Sequence, residues 1–402
     1  MLELEEALRH VLSAVHPLEA EEVSIHEAAG RVTADSPVSP VNLPLFDNSA
    51  MDGYAVRAAD LTCASPDHPV ALRLDGKIAA GEVFQGTVEA GACVRLFTGS
   101  PLPNGANAVV AQEDTRPEAS RPDQVWFLDT VKPWDNVRLQ GEDVRNGAKI
   151  AEAGCRLTPG QVALLAAVGI SKIKAARRPR VALLATGSEL IENDQPLSPG
   201  KIYESNRLLL AALMKRACAI PKIFPLVPDT MEATQAALET ALAECDAVVT
   251  SGGVSVGEYD FVKAAFEKLG GELAFWKISI KPGKPFAFGH AKGKFLFGLP
   301  GNPVSALVAF LLLVRPALAR MQAATETHLP KSTGRLTEAL ANPGDRRHFM
   351  RVVVDDAGRV ASAGTQASHH LSSLARSNGL VEVPPRTTLP AGAAVTVLRW
   401  DR

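Results

Sequence analysis

The residues of this chain that could do chemistry are carboxylates set beside small-residue loops. Ser251–Gly252–Gly253 follows an apolar, β-branched run at 247–250, and Ser255, Gly257, Glu258 and Asp260 come next. Paired glycines let a backbone turn sharply and present its N–H groups to a ligand. A strand feeding such a loop into a helix is where open α/β sheets bind anions. A plain turn with Asp260 as helix cap is the competing reading. Thr186–Gly187–Ser188–Glu189 brings a hydroxyl and a carboxylate to the end of another strand. Pro300–Gly301–Asn302–Pro303 opens a helix, with Asn302 as N-cap and Pro303 at the first helical position. Lys281 and Lys284 flank a Pro-Gly turn and could hold a tetrahedral oxyanion, or be a solvated pair. Asp52, Asp143, Glu189, Asp229 and Asp260 are too many carboxylates for a simple phosphate pocket. Beside phosphate loops they suggest Mg²⁺, which takes oxygen ligands and bridges to phosphate. Asp52, Glu189 and Asp260 are the expected metal ligands. Asp229, with Glu232 at capping-box spacing, has a sufficient role as a helix cap. Asp52–Gly53 also fits turn chemistry, and the hydroxyls and N–H groups of Thr98–Gly99–Ser100 could hold phosphate or close a loop.

Several units must position these groups. Apolar residues at helical spacing predict a helix over 1–15 that packs with the α/β unit. Residues 16–45 and 142–171 read as an elongated arm, its prolines at 37–44 forbidding regular helix. Residues 46–141 hold short strands punctuated by Gly and Pro, an inserted β domain. Residues 172–325 alternate strand and helix, with strands at 181–185, 222–227, 247–250, 273–280, 286–288 and 295–298 and helices at 206–217, 231–244, 261–269 and 303–321. That pattern predicts a doubly wound, mostly parallel sheet with its ligands at the strand C-termini. Residues 326–402 suggest a small β barrel. The fold class is therefore multidomain α/β.

Composition narrows the function. The chain has 402 residues, 46% hydrophobic and 21% charged, too long for a single core. A net charge of −2 gives no global field for nucleic acid or an anionic membrane. The five cysteines are scattered with no CxxC, which argues against a disulfide framework or zinc site and fits a reducing cytoplasm. The apolar run 304–314 is too short to span a bilayer and reads as a buried helix. His369–His370 reads as a surface or loop pair.

DNSAMDGYAVR, TGSPLP, TGSEL, TSGGVSVGEYD, KPGKPFAFG and LPGNPVSA occur in that order in one chain. Together they resemble the molybdopterin molybdenumtransferase family, the molybdate insertion enzymes, which includes the E domain of gephyrin. The resemblance covers essentially the whole chain. It implies a molybdopterin-binding-type α/β domain in an elongated, dimeric, four-domain subunit. It implies cleavage of adenylylated molybdopterin, release of AMP and transfer of molybdenum from molybdate to the dithiolene, with Mg²⁺ or a similar ion. Motif by motif, the acidic pocket is similar to Asp52, Asp143, Glu189, Asp229 and Asp260, with Thr98 in the matching turn. Asp260 looks like the residue needed for anhydride cleavage. The oxyanion site resembles Lys281, Lys284, Ser305, Arg351 and Ser368. RRHFMR ends differently from the family's usual tyrosine-histidine-arginine, and GTQASHHL matches its glutamine-x-serine pattern loosely. Expected partners are a second copy of the chain, a pterin adenylyltransferase and recipient molybdoenzymes. The alternatives are a scaffold of the gephyrin type and another pterin or nucleotide-phosphate enzyme, such as an adenylyltransferase.

Overall fold

A computed structural model describes residues 1–79, 81–254 and 261–400. Ser255 and Asp260 lie outside the described residues.

The sheet that carries the Gly-rich loops has six strands. Ile220–Ile223, Arg180–Ala185, Ala247–Ser251 and Lys294–Leu299 run parallel, in that order across the sheet. Ala287–Ala291 and Glu272–Trp276 extend it antiparallel. The parallel strands are nearly continuous apolar runs because both faces are covered. One face buries Val181, Leu183, Val249 and Phe297 under the helices Leu4–Ala14, Asn206–Arg216 and Pro303–Ala309. The other buries Ala182, Leu184, Val248 and Leu296 under Met231–Glu244 and Val262–Lys268. The unit is doubly wound, as the alternation predicts.

Several element ends differ from expectation for identifiable reasons. The strand expected at 222–227 is Ile220–Ile223. Pro225 has no N–H to give the ladder, so pairing continues only through single bonds such as Val227 N–H to Ala185. The strand expected at 273–280 stops at Trp276, because Lys277 takes φ +89°. The chain then leaves the sheet, and Ile280–Lys281 pairs with Arg347–Val354 of the C-terminal sheet. Pro303–Ala309, a π turn at Phe310–Val314 and Arg315–Met321 form one 19-residue helix that is mostly buried inside the protein. The π turn precedes Pro316, which cannot donate to the helix ladder.

At the other end of the chain, Ala20–Ser24 pairs antiparallel with Lys172–Ala176. From there residues 37–44 run out extended beside the return segment, bridged at Val38–Lys149 and Leu43–Val144. Beyond them stands a six-stranded sheet built from residues 53–127, mostly antiparallel. The C-terminal sheet closes on itself. Arg347–Val354 pairs with both Arg359–Ser362 and Gly379–Val383, and Lys331–Leu336 and Ala394–Arg399 complete the ring.

Candidate functional site

A cavity of about 690 Å³ opens at the C-terminal ends of the parallel strands. Thr186, Glu189, Asp229, Gly252, Gly253, Pro300, Asn302 and Pro303 all line it. Its floor is held by backbone bonds between loops: Thr186 N–H to Ser251 O (3.1 Å) and Gly252 N–H to Leu299 O (3.0 Å). Gly252 and Gly253 take φ +87° and +70°. A Cβ at Gly252 would stand 2.7 Å from Thr186 O, and one at Gly253 would stand 2.6 Å from Val262 Cγ2. The two positions therefore exclude any side chain.

Asn206 joins the loops from beneath. Its Nδ2 donates to Ser251 Oγ (2.7 Å) and Gly301 O (2.6 Å), while its buried Oδ1 has no partner. Thr186 Oγ1 is also buried and unpartnered. Burying such oxygens without partners is costly, and both residues line the cavity. Asn206 counted in the sequence only as the start of a helix. Its role depends on loops far away in the chain.

Asp229 is not a helix cap. Thr230 is the N-cap of Met231–Glu244, its hydroxyl accepting from Ala233 N–H. Asp229 instead accepts the Ser188 N–H at 2.7 Å and helps to shape the 186–190 loop. Asn302 is an N-cap by position, but its side chain makes no capping bond. It reaches to Ser368 Oγ (3.1 Å). His369, expected at a surface or in a loop, lines the cavity, as do Tyr203 and Glu204.

The oxyanion candidates converge on the start of the Pro303–Ala309 helix. The Val304 N–H donates to Ser368 O (3.1 Å), and Gly283 lies against Ser305 O. The Thr365 and Ala367 carbonyls accept from the Arg351 guanidinium at 2.6 and 3.2 Å, and Ser373 Oγ accepts from Nε. Arg351 is fully buried, its Nη1 is unpartnered, and burial pulls its pKa down to about 10. No carboxylate pairs with Arg351, Lys281 or Lys284 among the described residues. His348, register partner of Lys281, was not singled out in the sequence. It is 3% exposed with both ring nitrogens unpartnered. Burial, then Lys281, Arg351 and Arg346, push its pKa down to about 4.

Asp52, Thr98 and Asp143 do not reach this cavity within the chain. Asp52 Oδ1 accepts both the Thr98 N–H (2.8 Å) and the Thr98 hydroxyl (2.7 Å), and these bonds hold its carboxyl below the usual range. The Thr98–Ser100 turn has no N–H left for phosphate: Gly99 donates to Ser49 O and Ser100 to Phe97 O. Asp143 is exposed on the return segment. Among the described residues no group of three His, Cys, Asp or Glu has metal-binding spacing.

Family profiles match nearly the whole chain. The MoeA N-terminal region (domain I and II) matches residues 2–169, the probable molybdopterin binding domain 182–320, and the MoeA C-terminal region (domain IV) 333–400. Molybdopterin molybdenumtransferase of Haemophilus influenzae is 39% identical, over 99% of this chain and 98% of its own. The chain belongs to the molybdopterin molybdenumtransferase family. The Bacillus subtilis member is 34% identical over 98% of this chain and 93% of its own. A crystal structure of the molybdopterin biosynthesis moeA protein from Pyrococcus horikoshii OT3 superposes with a TM-score of 0.85 at 32% identity, covering 99% of both chains. The family profile for molybdopterin binding spans the loops that line the cavity, from Thr186 to Pro303.

Proposed function

We propose that this chain is itself a molybdate insertion enzyme. It takes adenylylated molybdopterin and molybdate, cleaves the phosphoanhydride, releases AMP and leaves molybdenum on the dithiolene. The observation that carries this reading is the Asn302–Ser368 bond, which joins the rim of the oxygen-lined cavity to the segment holding Arg351. A buried guanidinium without a counter-ion among the described residues suits a tetrahedral dianion, because charge-assisted bonds are strongest where water is excluded. Phosphate and oxyanion subsites thus lie side by side.

The donor set suits Mg²⁺. Glu189, Asp229 and the orphaned oxygens of Thr186 and Asn206 are hard oxygen ligands. Those residues would hold the ion, which would supply positive charge to stabilise the charge developing on the phosphates. Asp260 is assigned to the anhydride by its place after the small-residue loop. Gly252 and Gly253 let backbone approach the phosphates, and the Asn302–Pro303 helix start offers them its positive dipole end. Lys281, Lys284, Ser305, Arg351 and Ser368 are assigned to molybdate.

The subunit is proposed to act as a homodimer in the cytoplasm, supplied by a pterin adenylyltransferase and serving molybdoenzymes. A two-fold interface makes contacts reciprocal. The extended arm can then carry Asp52 and Thr98 of one chain to the cavity of the other. Incubation of the purified protein with adenylylated molybdopterin, molybdate and Mg²⁺ tests the reaction. AMP release that depends on molybdate supports it, and no AMP under those conditions sinks it.

A further inference from the structure

Between Glu189 and Asn206 the chain leaves the α/β sheet as a strap, most of it exposed. Its neck is short. Leu190–Ile191 pairs with Ile202–Tyr203, Ile202 N–H donates to Glu189 O (2.9 Å), and Glu204 N–H donates to Ile191 O (3.0 Å). A ladder of two residues is marginal by itself. Leu190, Ile202 and Tyr203 nonetheless line the cavity, and so does Glu189. The Glu189 carboxylate has no hydrogen bond or ion pair among the described residues, so the strap's backbone sets its direction. Arg207 fastens this strap from behind the cavity wall. It is 5% exposed, and Glu204 is 3% exposed. The Arg207 Nε donates to Glu204 Oε2 (2.9 Å), Nη2 to Glu192 Oε2 (2.8 Å) and Nη1 to Phe224 O (2.6 Å). One planar fork thus ties the outgoing limb, the returning limb and the end of an edge strand. Helix capping does not account for it. Ser205 makes no capping bond, and Glu204 Oε1 serves the first turn by accepting the Arg207 N–H. That bond needs no guanidinium on Glu192 or Phe224.

We propose that Arg207 is a positioning residue: it latches the 189–204 strap and so aims Glu189 into the cavity. This rests on the reaction proposed for that cavity. Arg207 does not line the cavity itself. It faces a separate recess of about 320 Å³ with Glu192 and Phe224. Its neighbour Asn206 bonds Ser251 and Gly301, so one helical turn registers the strap against the two loops opposite. A reacting group displaced by about 1 Å can lose roughly a hundredfold in rate. Glu192, 42% exposed, is the weaker tether, because water screens its charge more than that of buried Glu204.

Two variants of the full-length protein test the latch. Arg207→Lys keeps a cation beside buried Glu204 but cannot span Glu192 and Phe224 as well. Glu192→Gln cuts only the half-exposed tether. Hydrogen exchange followed by peptide mass spectrometry reads the strap, and AMP release titrated with molybdate reads the reaction. Amides of 189–204 should exchange about tenfold faster in Arg207→Lys and about threefold faster in Glu192→Gln, while the strands 181–185 and 247–251 keep parental protection. The kcat for AMP release should fall about tenfold and threefold respectively, with half-saturation by molybdate unchanged. Exchange that rises alike in strap and sheet would make Arg207 a purely structural residue and overturn the proposal. So would a loosened strap with parental kcat, or a lowered kcat with parental strap exchange. The two readings fail separately. AMP release in the parent that neither variant slows removes the latch and leaves the reaction. A parent that releases no AMP removes the reaction and with it any positioning role, while strap exchange still shows what Arg207 holds.

Discussion

Asp229 and Ser188 clasp each other across two loops: the Asp229 carboxylate accepts the Ser188 N–H at 2.7 Å, and Ser188 Oγ accepts the Asp229 N–H at 3.3 Å. Thr230, one residue on, does the helix capping. The two neighbours should therefore separate in their effects. Thr230→Ala should cost about 1 kcal/mol of stability, the usual value of a lost N-cap, with AMP release intact. Asp229→Ala should slow AMP release at least about tenfold, equivalent to roughly 1.4 kcal/mol of barrier, with little change in Tm. Urea unfolding and AMP assays on both variants decide. Equal stability losses would show that Asp229 acts in the helix after all.

Replacing Lys281 and Lys284 with Ala should raise the molybdate concentration needed for insertion. Arg351→Lys should do the same, because a single ammonium cannot keep the guanidinium's bonds to Thr365 O, Ala367 O and Ser373 Oγ. Binding of the adenylylated pterin should weaken less in both. Titration of molybdate at saturating pterin reads this out. Identical molybdate dependence in parent and variants would reduce the lysine loop to a surface turn.

Assembly can be tested by mixing lesions. Asp52 lies away from the cavity of its own chain, whereas Glu189 lines it. Co-expressing Asp52→Ala and Glu189→Ala chains with different tags gives mixed dimers. With shared sites, each mixed dimer holds one doubly damaged and one intact site, so activity partly returns. Sites built within single chains would leave every site damaged and the mixed dimer dead.

His348 gives a pH signature. Its pKa falls from 6.5 to about 4 in the folded chain because a buried imidazole beside Lys281, Arg351 and Arg346 resists protonation. The unfolded state therefore binds the proton first as pH falls. This site's contribution is present above pH 6.5 and is lost as pH drops toward 4. The loss should reach up to about 3 kcal/mol, and His348→Gln should abolish it. Urea midpoints measured between pH 7 and 4 provide the check. A parent and variant with parallel pH dependence would refute it.

The sequence by itself determined much of this protein. Strand–loop–helix alternation over 181–321 forces a doubly wound sheet, since each apolar run needs cover on both faces. That topology puts Thr186, Gly252 and Asn302 at one edge, however far apart they lie in the chain. The glycines were legible for the same reason: a tight strand–loop crossing leaves no room for a Cβ. Side-chain destinations were not legible, because they depend on partners distant in sequence. Asp229 and Glu232 have the spacing of a capping box, yet the 186–190 loop offers Asp229 an N–H and Thr230 takes the cap. Asn206 and His348 carried no local signal at all. One is defined by Ser251 and Gly301, the other by a strand that crosses from the α/β sheet to the barrel at Ile280–Lys281. Only the tertiary structure decided that Asp52 bonds Thr98 and stays off its own chain's cavity, because the length and direction of the proline-bounded arm set that separation.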